Sequence, residues 1–296
     1  MSELIRRMAH VALRVPDLDA SVQWATTVMG LRETERVGPC SYLTHGSCHH
    51  SLQLIAAERA EFDHIALQAH DKAALDAARR SALRAGLQIV SEEAQEPALA
   101  NAFRFRGPEG HVIEIFDEME DTGAPFIGRG VQPTKFGHPT LTCEDPAAYR
   151  RLFQDVLDFR VSDTIGDELL VFLRCGIDHH GIGLQRGRSG LNHYAWEVEN
   201  FARLGHLGDV LARAGGRFIW GPGRHGAGNN LFTYHYDPAG IVVEYYADLY
   251  KVWDERTFKP GHWSLDDYRG QNLWGPPAPQ ELLEAATPVA AVEARL

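Results

Sequence analysis

Short alternating runs of apolar and polar positions recur along the chain, each followed by a stretch with helical spacing. Near the start, MAHVALRVPDLDASVQWATTVMGLRE alternates as a strand, turns at Pro16-Asp17 and becomes an amphipathic helix. Near the middle, FGHPTLTCEDPAAYRRLFQDVLDFRV repeats that order, with Pro146 placed for the first turn of its helix. Other landmarks repeat at the same spacing. His10 and His138 lie 128 residues apart, and the pairs His49-His50 and His179-His180 lie 130 apart. DHIALQA with His64 and NHYAWEV with His193 are 129 apart, and Glu114 and Glu244 in GPEGHVIEIF and DPAGIVVEYY are 130 apart. An offset that stays within two residues over four landmarks identifies a duplication.

Each half therefore predicts two βαβββ-like units, with helices such as AALDAARRSALRAG and RLGHLGDVLARAG ending at glycine. Strands outnumber helices and connections are brief, so the expected class is α+β rather than a doubly wound sheet. The expected boundaries are a first domain over 1–120, a Gly/Pro-rich linker over 121–135 and a second domain over 136–275. A peripheral tail over 276–296 follows a proline cluster.

Composition narrows the classes. The 296 residues include 29 basic and 40 acidic side chains, a net charge of −11, which argues against a general nucleic-acid or anionic-membrane binder. Runs of apolar residues are too short for a spanning helix, and MSELIRRMAHVAL has no h-region or cleavage site, so no signal peptide is expected. Four cysteines without CxxC spacing suit free thiols in a cytoplasm. Histidine is abundant at 15, and eight of these occupy the matched positions.

His138, His193 and Glu244 each sit in a strand, one structural unit apart. On a shared curved sheet their inward faces converge. Two imidazoles and one carboxylate with open positions form the facial triad of non-haem Fe(II) oxygenases, whereas structural zinc would close its shell. Singly, each histidine reads more readily as a hydrogen-bonded strand residue; a carboxylate within VVEYY needs a partner or a metal. His179, His180, His225 and Tyr234 supply imidazoles and a phenol nearby, suited to moving protons near neutral pH. GPGRHG fits G-x-G-x-x-G only formally, because no helix pattern follows it.

From FGHPTLTCED through GIDHHGIGL, LNHYAWEVE, GPGRHGAGNNLFTYHYDPAG and VVEYYAD, the second half resembles type I extradiol catechol dioxygenases of the vicinal oxygen chelate superfamily. The GPGRHG segment and NLWGPP are most similar to the homoprotocatechuate 2,3-dioxygenase group. The resemblance implies two tandem vicinal-oxygen-chelate domains, each a curved mixed sheet around a cavity, with metal in the second. It makes His138, His193 and Glu244 the ligands of Fe(II), or Mn(II) as in some relatives. It makes His180 the acid/base residue, with His179 as a rival, and His225 and Tyr234 partners of the diol oxygens. His179, Phe172, Trp220 and Thr140 are expected around a catechol-type substrate, cleaved with O2 to a muconic semialdehyde type product. A homo-oligomer, commonly a tetramer, is also implied.

Two departures bear on the chemistry. Trp220, Gly270 and Gln271 stand where that group carries carboxylate-binding arginines, with Arg269 displaced, so an uncharged catechol is expected. The first half keeps His10, His64 and Glu114, but Arg104 stands in the place of Tyr234, and no counterpart of His225 is apparent. A glyoxalase-like isomerase or lyase and a metal-free binding protein are the alternatives on the same fold.

Overall fold

The computed structural model describes residues 1–123 and 129–291. The first half runs β1 (Ile5–Val15), α1 (Leu18–Trp24), β2 (Arg32–Val37), β3 (Cys40–Thr44) and β4 (Leu52–Ala56). It continues through β5 (Glu61–Ala69), α2 (Lys72–Arg84), β6 (Gln88–Ser91), β7 (Ala102–Arg106) and β8 (Val112–Phe116). The second half repeats the order as β9 (Lys135–Cys143), α3 (Pro146–Arg151), β10 (Arg160–Ile165), β11 (Leu170–Arg174) and β12 (Ile182–Arg186). Its second unit is β13 (Gly190–Glu197), α4 (Phe201–Arg213), β14 (Trp220–Arg224), β15 (Leu231–Tyr236) and β16 (Val242–Ala247). Four βαβββ units thus follow one another, and the α+β expectation holds.

The same local chemistry starts each crossover helix. Asp17, Asp71 and Asp145 each accept from a backbone N–H three residues on, at 2.8–3.0 Å, and Asn200 does so at 3.4 Å. These caps satisfy donors that the first helical turn leaves free. Pro146 opens α3, where its missing N–H costs nothing. Gly86 and Gly215, just past α2 and α4, take φ of 72° and 76°, the left-handed stop that favours glycine.

In the first sheet the strand order is β2-β3-β4-β1-β5-β8-β7-β6, with β1 and β5 antiparallel at its centre and β4 and β8 parallel to them. The second sheet centres on β9 and β13 in the same way. It is extended by β17 (Gly261–Trp263) against β10 and by β18 (Thr287–Pro288) against β13. One apolar core runs through both halves, from Val11 and Leu13 to Leu141, Tyr149 and Phe153. His111 joins the halves, its Nε2 donating to the Gly190 carbonyl at 2.9 Å. Among the described residues no helix is long and apolar enough to cross a membrane.

Of the expected linker, residues 124–128 lie outside the described residues. The last segment differs from the peripheral tail expected. Its helix α5 (Gln280–Leu283) buries Leu282 to 4% exposure, because Asn192 Nδ2 donates to the carbonyls of Leu282 and Ala285 at 2.8 and 3.0 Å. A proline cluster marks the end of regular structure in a sequence; it does not reveal a later backbone stretch held by a strand asparagine.

Candidate metal centre

His138 on β9, His193 on β13 and Glu244 on β16 come from three adjacent strands. Register sets Ala195 opposite both His138 and Glu244, so the three chemically active side chains gather on one face. Their ligand atoms all lie within 4.8 Å of one another. Glu244 Oε2 is 3.0 Å from His138 Nε2 and 3.2 Å from His193 Nε2. Donors about 2.1 Å from one ion and at right angles around it are about 3 Å apart, so these spacings suit three neighbouring ligands. His193 Nε2 is buried yet makes no hydrogen bond, although Glu244 is within reach. An orphaned imidazole nitrogen facing a carboxylate in this way fits a divalent cation.

Surrounding groups aim these three side chains. Asn192 Oδ1 accepts from His193 Nδ1 at 2.7 Å, leaving the Nε2 lone pair for the centre. Asn230 Nδ2 donates to Glu244 Oε1 at 3.2 Å. Burial pushes the Glu244 carboxyl up, but the facing His138 holds it well below the usual carboxylate range. Burial lowers His193, keeping it neutral as a ligand must be. Gly137 precedes His138 because a Cβ there would collide with the Tyr246 hydroxyl. Gly137→Ala is therefore expected to displace β9 and cost about 1–3 kcal/mol. Thermal unfolding checks this: a drop in Tm of about 2–8 °C is expected.

A cavity of about 80 Å³ opens onto the three residues and is lined by Thr140, Phe172, His180, Trp220, His225 and Tyr234 among others. The His180 ring lies 4.3 Å from that of His138 and 4.8 Å from that of Phe172. Burial, and then His138, lower its pKa well below the ordinary histidine value. His225 Nε2 lies 3.2 Å from the Tyr234 hydroxyl and 3.8 Å from Glu244 Oε1. Its Nδ1 donates to the Gln271 carbonyl, which fixes the ring. Burial and the Glu244 charge raise Tyr234 well above the usual phenol value.

His179, expected at the substrate, does not line this cavity. Its Nε2 turns to Asp163 Oδ2 at 3.4 Å, and its Nδ1 faces His180 Nδ1 at 3.1 Å. The doublet lies in a bend between β11 and β12, which turns one ring to the cavity and the other to Asp163. Sequence reasoning missed Asn192, Asn230 and the cover formed by Ala278, Leu282 and Leu283. Asn192 and Asn230 stand beside motif residues in LNHYAWEV and GNNLFTYHY, and a buried asparagine there is the available signal. Glu96 was missed too. It lies 129 residues before His225 and meets His10, His50, His64 and Arg104 within 3.0 Å. The first half therefore does have a counterpart of His225, of opposite chemical character.

Comparison with known proteins agrees with the duplication. The Glyoxalase/Bleomycin resistance protein/Dioxygenase superfamily profile matches twice, over residues 7–115 and 135–245. The chain is 25% identical to a manganese-dependent 2,3-dihydroxybiphenyl 1,2-dioxygenase of Geobacillus genomosp. 3, over 93% of this chain and 95% of that one. It is 30% identical to an Mn(II)-bound glyoxalase from Novosphingobium aromaticivorans, covering 99% of this chain and 96% of that one with a TM-score of 0.88. Homoprotocatechuate 2,3-dioxygenase from Arthrobacter globiformis shares the fold, with a TM-score of 0.90 at 24% identity, over 98% of this chain and 94% of that one. Matched by the profile in both halves, the chain belongs to the Glyoxalase/Bleomycin resistance protein/Dioxygenase superfamily.

Proposed function

We propose that this chain opens uncharged, apolar-substituted catechols beside the diol, at an Fe(II) ion held by His138, His193 and Glu244. It is a ring-cleaving dioxygenase, as are curated relatives matched along nine-tenths or more of its length. Iron and manganese both serve among them. The observation that carries the substrate class is the cavity wall: among the described residues no lysine or arginine lines it. Arg269, beside the lining residue Gly270, is exposed and paired with Asp267 at 2.5 Å. A carboxylate entering such a site would lose hydration without gaining a counter-charge.

When bound, the metal supplies positive charge and open positions that bring the diol oxygens and O2 together. Phe172, Trp220 and Leu282 enclose the substrate ring and exclude water, and Thr140 lines the cavity from β9, two residues past His138. Its environment keeps Tyr234 a phenol, so its O–H can donate to a diol oxygen, and His225, whose Nδ1 donates to Gln271, turns Nε2 to the same space to accept from a diol hydroxyl. Burial keeps His180 a neutral imidazole, able to take a diol proton and return it as the ring opens. Both oxygen atoms of O2 end in the product, and the carbon–carbon bond next to the diol breaks. The product is a muconic semialdehyde type compound.

Oxygen uptake across a catechol panel tests the substrate class. Alkyl- or aryl-substituted catechols are expected to exceed a carboxymethyl catechol in kcat/KM by about 100-fold or more. Comparable turnover of the two would refute it. The 30% identity to an Mn(II)-bound glyoxalase favours a second reading, metal-dependent isomerisation. Conversion of a hemithioacetal without oxygen uptake would select that reading. Against it, the second-half cluster offers three ligand side chains among the described residues, where glyoxalase-like chemistry uses four.

A further inference from the structure

The first half holds another buried cluster. His10, His64 and Glu114 occupy the repeat positions of His138, His193 and Glu244, and Glu96 joins them with all ligand atoms within 4.8 Å. All four are at least nine-tenths buried. His10 Nε2 lies 3.0 Å from Glu96 Oε2 and 3.8 Å from Glu114 Oε1, yet neither of its ring nitrogens makes a hydrogen bond. His193 Nε2 is in the same condition in the second half. Buried imidazole nitrogens turned to carboxylates without hydrogen-bond geometry are arranged to converge on a cation.

Here the cation is part of the chain. Arg104 Nε donates to Glu114 Oε2 at 2.6 Å, and its Nη2 donates to Glu96 Oε1 at 2.6 Å. One guanidinium therefore bridges both carboxylates, using the planar fork that suits such pairs. The two halves differ by a coupled exchange. Where the second half has an imidazole and a phenol, His225 and Tyr234, the first has a carboxylate and a guanidinium, Glu96 and Arg104. The added negative charge and the added positive charge meet in one contact. Without the guanidinium, two imidazoles and two carboxylates would face one another in a buried space, a strong donor set for a divalent ion. Two carboxylates left together without a cation would otherwise repel.

We propose that Arg104 is a tethered cation seated in a second divalent-metal site, closing it, and that His10, His64, Glu96 and Glu114 bind an ion once the guanidinium is removed. The inference stands on first-half geometry and does not require the substrate proposed above.

Elemental analysis after Mn(II) loading and desalting of the full chain tests it. Wild type and Arg104→Lys are expected to retain about one ion per chain, Arg104→Met about two, and Arg104→Met combined with His10→Ala about one. Mn(II) should raise the Tm of Arg104→Met further than that of the double variant. If Arg104→Met folds only when Mn(II) is supplied, metal-dependent folding supports the assignment equally. Two ions in wild type, one ion in folded Arg104→Met, two in the double variant, or no folding with metal present would each overturn it. In a Glu244→Ala background the same series is expected at about one ion fewer throughout, so failure of the second-half site would be visible separately.

Discussion

Replacing Glu244 by alanine is expected to strip the metal from the second half and lower ring cleavage by about 1,000-fold or more. Glu244 Oε2 faces both His138 and His193, and it is the one carboxylate in that cluster. Losing an outer group that merely orients a ligand typically costs about 10–100-fold in metal affinity. Losing a ligand should exceed that, while Asn230→Ala, which frees only the Glu244 Oε1 contact, should fall within it. The fold is expected to survive. The change removes a buried charge, and burial already disfavours a charged His193. Metal content, circular dichroism and oxygen uptake on the same preparation separate these effects. A Glu244→Ala chain that keeps both metal and turnover would sink the site assignment.

Most of this centre was legible because its parts obey strand periodicity and recur at one offset. His138, His193 and Glu244 could be matched to His10, His64 and Glu114 by spacing alone, and strand alternation then put each set on one face. Apart from Asn192 on β13, what resisted reading lies off the strands. Leu282 and Leu283 reach the cavity through the grip of Asn192 on their backbone, and no hydropathy pattern encodes that. Glu96 sits in the loop between β6 and β7 at the repeat offset from His225, but a carboxylate stands there in place of an imidazole, so matching histidine to histidine does not flag it. The His179-His180 doublet resembles an ambiguity only in one dimension. In three, one ring faces the cavity and the other faces Asp163.

That doublet carries the second large effect. His180→Ala is expected to lower kcat by about 100- to 10,000-fold, the usual range for removing a general acid/base, while metal content stays at the wild-type level. The His180 ring borders both His138 and Phe172, between the metal centre and the cavity wall, and burial keeps it an unprotonated imidazole. It can therefore accept a proton from the diol without first losing one to water. Because it binds neither metal nor the body of the substrate, KM should change far less than kcat. His179→Ala should behave differently. Its imidazole meets Asp163, which also accepts from the Trp263 indole at 3.0 Å and the Gly261 backbone at 2.7 Å. Cutting that contact should loosen the β10–β17 edge and lower Tm, with kcat changing by less than about tenfold. Steady-state kinetics and thermal unfolding of the two variants, each measured with its metal content, discriminate the roles. Full kcat in His180→Ala together with its loss in His179→Ala would reverse the assignment, and full kcat in both would remove the doublet from the mechanism.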